Sequence, residues 1–150
     1  MIIGLSFKIQ QNTNILPTIL DGINVKDYCW YNIDSQNEVW DSPQGELFFS
    51  TEYYNGTDFA KHIEEPHFIV FLKLLAFNKK CKFYDVQTYE EFRASDCQLL
   101  LLIYDCQQIE IYAKSQNIIE IIFQNALKNK FYEVTYITDK NNRRTKMNIL

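Results

Sequence analysis

The stretch Leu99-Leu100-Leu101-Leu102-Ile103-Tyr104 sets six apolar residues in a row without a polar break. Side chains of a strand point alternately to opposite faces, so a strand with one wet face alternates apolar and polar residues. An unbroken run is buried on both faces. The run predicts a central strand, Gln98 to Tyr104, covered by helices on each side. Two Asp-Cys dipeptides flank it, Asp96-Cys97 and Asp105-Cys106, and could be misread as halves of one site. Cys97 and Cys106 are nine positions apart, which is roughly 30 Å along a strand and still about 13 Å along a helix. A disulfide needs Cα atoms within about 7 Å, and shared ligation of one zinc needs similar closeness. The run contains no turn former to fold it back, so the pairs read as strand ends. The spacing leaves open a longer-range partnership with Cys29 or Cys81.

Around this strand the periodicities supply the remaining elements. Ile3, Leu5, Phe7 and Ile9 alternate with smaller or polar residues, predicting a first strand with one buried face. Asn14-Ile15-Leu16-Pro17 predicts a short helix with Pro in its first turn. Tyr28–Ile33, Glu38–Trp40 and Glu46–Ser50 read as short strands of a β-meander, separated by Asp34-Ser35-Gln36-Asn37 and Ser42-Pro43-Gln44-Gly45. Thr57 or Asp58 caps a helix running to about Glu65, which Pro66 stops. His67–Asn78 reads as a strand, although Leu72, Leu74, Leu75 and Ala76 also suit a helix, and Cys81–Tyr84 reads as a short strand. Thr88-Tyr89-Glu90-Glu91 is a capping box opening a short helix. Ile109, Ile111 and Ala113 alternate with Glu110, Tyr112 and Lys114, so the strand after the central one is expected to be half exposed. Ser115 caps the strongest helix, with Ile118, Ile119, Ile122, Phe123, Ala126 and Leu127 as its apolar stripe. Tyr132, Val134 and Tyr136 mark a last strand, and 139–146 reads as a polar, basic tail.

A chain of 150 residues fits one domain, and at that size roughly 70% of the unfolded surface is buried. The N-terminus has no basic segment followed by a long apolar run, and no stretch approaches the ~20 apolar residues of a membrane helix. A cytoplasmic location is expected, with the cysteines as thiols and no membrane partner. Residues 1–70 hold three lysines against ten carboxylates, and 71–150 hold twelve bases against nine acids. The overall charge of −4 disfavours nucleic acid, which selects a basic face. The acidic portion reads either as an ordinary solvated surface or as a face for a basic protein partner.

Chemistry-bearing motifs are sparse. His62-Ile63-Glu64-Glu65-Pro66-His67 has the residue types of a metal site, but its histidines stand at i and i+5 across a proline rather than i and i+4. No metal or cofactor is therefore expected. Neither a G-x-S-x-G elbow nor a glycine-rich phosphate loop occurs. What stands out is an aromatic cluster beside carboxylates. Trp30, Tyr31 and Trp40, with Asp34, Glu38 and Asp41, are the candidate binding surface, because exposed aromatics anchor interfaces.

The segments GLSFKI, DYCWYN, HFIVFLKLLAF, TYEEFRASDCQLLLLIYDCQQIEIYAK and YEVTYITDKNNRRT resemble a family of small uncharacterised bacterial proteins, a domain of unknown function. The resemblance covers nearly the whole chain but rests on core patterns. It implies no activity, cofactor or active residue.

The resulting expectation is a single α+β domain, 1–150, with a mixed, mainly antiparallel sheet, a central buried strand and helices packed on it. The functional expectation is a non-enzymatic protein-binding module using the acidic-aromatic surface. In size, acidity and aromatic content it resembles immunity proteins that neutralise basic toxins. The rival is an enzyme with a pocket assembled from Cys29, His62, His67 or Asp105.

Overall fold

The computed structural model describes residues 1–10, 13–41, 45–80 and 82–149. Its elements, in chain order, are β1 (Ile2–Lys8), α1 (Ile15–Ile19), β2 (Tyr28–Asn32), β3 (Glu38–Asp41), β4 (Tyr53–Tyr54), α2 (Gly56–His62), β5 (His67–Asn78), α3 (Tyr89–Ala94), β6 (Cys97–Tyr104), β7 (Gln108–Ala113), α4 (Gln116–Lys128) and β8 (Tyr132–Thr138). One sheet runs in the order β4-β2-β5-β6-β7-β1-β8, with β3 also paired to β5. Every pairing is antiparallel, and the architecture is α+β.

β6 is the central strand that its apolar run requires. Leu99, Leu101 and Ile103 join one core while Leu100 and Leu102 join another, on the opposite face. The first face is covered by α1, α2 and α4, through residues such as Leu16, Phe59, Ile119 and Ile122. The second is covered by Phe92 of α3, by Val86, and by Met147 near the C-terminus. Cys97 begins β6, and Asp105-Cys106 forms the loop after it. Both loop residues take left-handed backbone angles, φ 52° and 63°, without a glycine. Neighbouring strands fix the loop: Cys106 N–H donates to Val70 O (3.2 Å) and Ile9 N–H to Gln107 O (3.0 Å). Cys29, Cys97 and Cys106 are free thiols.

The expected meander is not formed. β2 and β3 do not pair with each other but lie end to end along one edge of β5, against residues 74–78 and 67–71 respectively. The twelve residues of β5 extend roughly 40 Å, long enough for both. The expected strand Glu46–Ser50 is also absent, apart from one bridge between Leu47 and Trp40. Adjacent Phe48 and Phe49 pack into the same core, whereas neighbours along a strand point to opposite faces. Ser42, Pro43, Gln44 and Cys81 lie outside the described residues. Residues 82–84 are not a strand; the segment crosses the second face, where Phe83 stacks on Tyr31 with ring centroids 4.2 Å apart.

Four further expectations are corrected. α2 is capped by Asn55, which accepts from Asp58 N–H, and ends at His62 rather than near Glu65. Ile3 packs into the second core, not with Leu5 and Phe7, because the β1–β8 register shifts between Ile2 and Gly4. β7 is not half exposed: Tyr112 is fully buried, since the second face is covered where a solvated one was expected. Leu127 of α4 is exposed, and Asn125 is buried in its place, donating to Ile19 O and Asp21 O. Gly4 is dictated by packing, because a Cβ there would collide with the Ile111 carbonyl of β7. Among the described residues no helix is long and apolar enough to cross a membrane.

Candidate functional site

The six expected binding residues separate into two environments. Trp30 belongs to the core: it is 1% exposed, stacked on Phe59 at 4.5 Å, with its indole N–H donating to Val25 O. It is not part of a surface. β2 carries it on the face that α2 covers. Tyr31, on the other face of β2, is half-buried between Phe83, Phe77 and Tyr53. Asp34 is exposed, and its backbone N–H donates to the Glu52 carboxylate. Glu38, Trp40 and Asp41 are half-buried on β3. Trp40 pairs across the strands with exposed Phe68 and bridges to Leu47, which is 68% exposed. Asp41 accepts the Glu46 N–H at 2.7 Å. Trp40, Leu47 and Phe68 thus form an apolar surface around β3, edged by Glu38, Asp41 and Glu46. A hollow of about 380 Å³ beside it is lined by Asp34, Asn37, Leu47 and Phe49.

Of the rival reading's residues, His62 and His67 meet on the Phe48 ring, but Cys29 and Asp105 are held far apart. Cys29 pairs with Phe77 near one end of β5, whereas the Asp105-Cys106 loop is bonded at Val70. Those β5 positions are seven residues apart, roughly 23 Å along the strand. His67 is completely buried and uses both ring nitrogens: Nδ1–H donates to Glu65 O and Nε2 accepts the Leu16 N–H of α1. Burial depresses its pKa, partly offset by the Glu65 carbonyl. His62 Nε2 is 2.7 Å from Phe48 O, and both histidines pack on the Phe48 ring. Cys29 Sγ lies 3.6 Å from the Tyr53 hydroxyl; that contact, with burial, pushes the Tyr53 pKa up to about 12. Cys97 is buried, and burial pushes its thiol up to about 12. Among the described residues no three His, Cys, Asp or Glu side chains gather as metal ligands.

The densest polar cluster was not anticipated from the sequence. It occupies the second face of the sheet, where 142–149 crosses the strands instead of trailing as a solvated tail. Glu110 of β7 accepts from Tyr104 Oη (2.8 Å), Tyr112 Oη (3.1 Å), Arg144 Nε (3.0 Å) and Arg144 Nη2 (2.7 Å). Burial alone would raise the Glu110 carboxyl; the Arg144 fork and the two hydroxyls outweigh it and hold the pKa below the usual range. Burial and Glu110 together push Tyr112 upward. Arg144 Nη1 also donates to Lys146 O and Asn148 O, so one guanidinium fastens the C-terminal segment to β7.

Lys73, mid-strand in β5 and fully buried, is the second fastening. Its ammonium reaches Asp85 (2.8 Å), Val86 O (2.5 Å) and Asn148 Oδ1 (2.8 Å). Burial lowers its pKa, and Asp85 partly compensates. Lys73 had a visible signal, being the lone cation inside HFIVFLKLLAF. Glu110 and Arg144 had none, because a carboxylate alternating with isoleucines reads equally as solvated. Beside them a half-open groove of about 720 Å³ lies over β7, β1 and β8.

A protein of Bacillus subtilis (strain 168) named "Uncharacterized protein YncE" is 35% identical over 150 residues, covering 97% of this chain and 98% of that protein. No solved structure matches the chain. The family described as "Protein of unknown function (DUF2691)" matches residues 2–148, nearly the whole length, and the chain belongs to it.

Proposed function

We propose that the protein is a cytoplasmic, non-enzymatic binding module whose acidic-aromatic surface around β3 receives a basic protein partner, in the manner of an immunity protein. One observation carries the reading. Among the described residues, the four ion pairs use Asp139, Glu133, Asp85 and Glu110; none uses any of the ten carboxylates before residue 70. Among the described residues these carboxylates stay outside ion pairs, next to the exposed side chains of Leu47 and Phe68. Apolar anchors rimmed by uncompensated charge of one sign suit a partner of the opposite sign. An enzymatic reading is less well supported, because the buried ionisable groups are consumed internally. Glu110 is saturated by donors, and His67 has neither nitrogen free.

The test is capture from lysate of the source organism at low and raised salt. Exposed charges are screened over about 8 Å at physiological ionic strength, so capture should fall as salt rises. Asp34→Lys with Glu38→Lys should weaken it further at unchanged melting temperature. Trp40→Ala should weaken it by a larger factor than the charge changes. If Trp40→Ala instead melts the protein and low salt recovers nothing specific, Trp40 is core and the reading fails.

A further inference from the structure

The groove over β7, β1 and β8 lies on a different part of the molecule from the β3 surface and owes nothing to that reading. Its volume, about 720 Å³, falls within the range of small-molecule sites. The second core ends at Tyr112 and Ile137. Phe7, Ile109 and Tyr136 also line the groove, interleaved with polar positions: Ser6 and Lys8 on β1, Gln108 on β7, Thr135 on β8. Four cations line it, Lys8, Arg143, Arg144 and Lys146, against two carboxylates, Glu110 and Glu133. The carboxylates are already matched, Lys8 to Glu133 at 2.9 Å and Arg144 to Glu110 at 2.7 Å. Arg143 and Lys146 remain, with no carboxylate in ion-pair range among the described residues. A concave surface therefore holds two surplus positive charges in a chain whose net charge is −4. Arg144, bonded to Glu110 and to the carbonyls of Lys146 and Asn148, fixes the backbone between those two cations. The Ser6 hydroxyl and the Gln108 amide lie within the same groove and, among the described residues, make no side-chain hydrogen bond.

We propose that this groove binds a small molecule bearing a phosphoryl group, with Arg143 and Lys146 facing the anion and Ser6 and Gln108 as further hydrogen-bonding groups. A surplus of two charges matches a phosphate monoester, which carries about −1.5 to −2 near neutral pH, better than a single carboxylate. Guanidinium groups also suit phosphate oxygens by their planar array of donors.

The experiment titrates the full chain with inorganic phosphate, and separately with acetate and chloride at matched ionic strength, following backbone amides by NMR. Saturable shifts confined to the amides around Ser6, Gln108 and Arg144, produced by phosphate alone, are the expected result. Arg143→Ala with Lys146→Ala should weaken that binding about tenfold or more, roughly 1.4 kcal/mol, with the spectrum elsewhere unchanged. Both residues are at most partly engaged in packing, so the fold should survive; an unfolded double variant is replaced by Arg143→Gln alone, for which a measurable weakening is required. Equal response to acetate overturns the phosphoryl assignment. No saturable shift, a response to chloride of the same size, or undiminished binding by the variants overturns the site.

Discussion

The two faces of this sheet are closed by different means. On the first, α1, α2 and α4 lay apolar stripes on the strands, and each helix satisfies its own backbone except at the ends. On the second, α3 is the one α-helix among the described residues; 82–87 and 142–149 cross the face without regular structure of their own. An irregular segment over a core must place its backbone polar groups somewhere. Here they go to side chains and to each other: Lys73 to Val86 O, Arg144 to the carbonyls of Lys146 and Asn148, and Met147 N–H to Gln87 O at 2.9 Å. The contrast teaches that a sheet face can be buried without an amphipathic helix, provided a few charged side chains act as fasteners.

The strongest challenge to equal burial of the two faces is truncation on each. Leu101→Ala on the first face should cost roughly 2–5 kcal/mol. Tyr112→Ala on the second should cost a comparable amount, about 3–5 kcal/mol by analogy with Phe→Ala, and would also remove a donor to Glu110. Denaturant titration of both variants decides it; a Tyr112→Ala loss far below that of Leu101→Ala would mean the second face is wet.

A smaller effect isolates the fasteners. Glu110→Ala leaves the Arg144 guanidinium without its carboxylate, and hydrogen bonds to charged groups contribute about 1.5–3 kcal/mol each, less here for partial exposure. Replacing both partners, Glu110→Met with Arg144→Met, should recover part of that loss. A double variant no better than the sum of its singles would show that the two side chains are not coupled.

Smallest is a pH effect that separates the faces. His67 caps α1 on the first face as a neutral ring, and its pKa is depressed by burial. A depressed pKa means stability is fully present above the unfolded value of about 6.5 and is lost as pH falls through the folded one. Glu110 is also depressed, so its contribution is lost only in acid, below about 4.3. Stability should begin to fall as the pH drops below about 6.5, and His67→Gln should flatten that limb without touching the acid one. An unchanged slope in the variant would remove His67 from the account.

Legibility in the sequence divides along the same line. β6, β5 and α4 were legible because burial writes itself as apolar runs or helical stripes, and Thr88 and Ser115 announced their caps by chemistry. The second face was not, because Tyr112, Glu110 and Arg144 are polar residues whose burial depends on partners thirty or more positions away. The candidate surface was legible in part. Asp34, Glu38, Trp40 and Asp41 lie at or near the surface, while Trp30 followed the pleat of β2 into the core. Period-2 reasoning separates Trp30 from Tyr31 but does not say which face α2 will cover. Nor does it place β2 and β3 end to end on one long partner, which is what removed the meander.

Hydrogen exchange at a single amide tests the polar closure of the second face most directly. Met147 N–H is bonded to Gln87 O and its side chain is fully buried. In the wild type this amide should exchange through opening slower than that of the exposed residues around it. In Arg144→Gln it should be released while the amides of α4 on the first face keep their protection. Exchange of the wild-type Met147 amide at the rate of an unstructured chain would contradict the account.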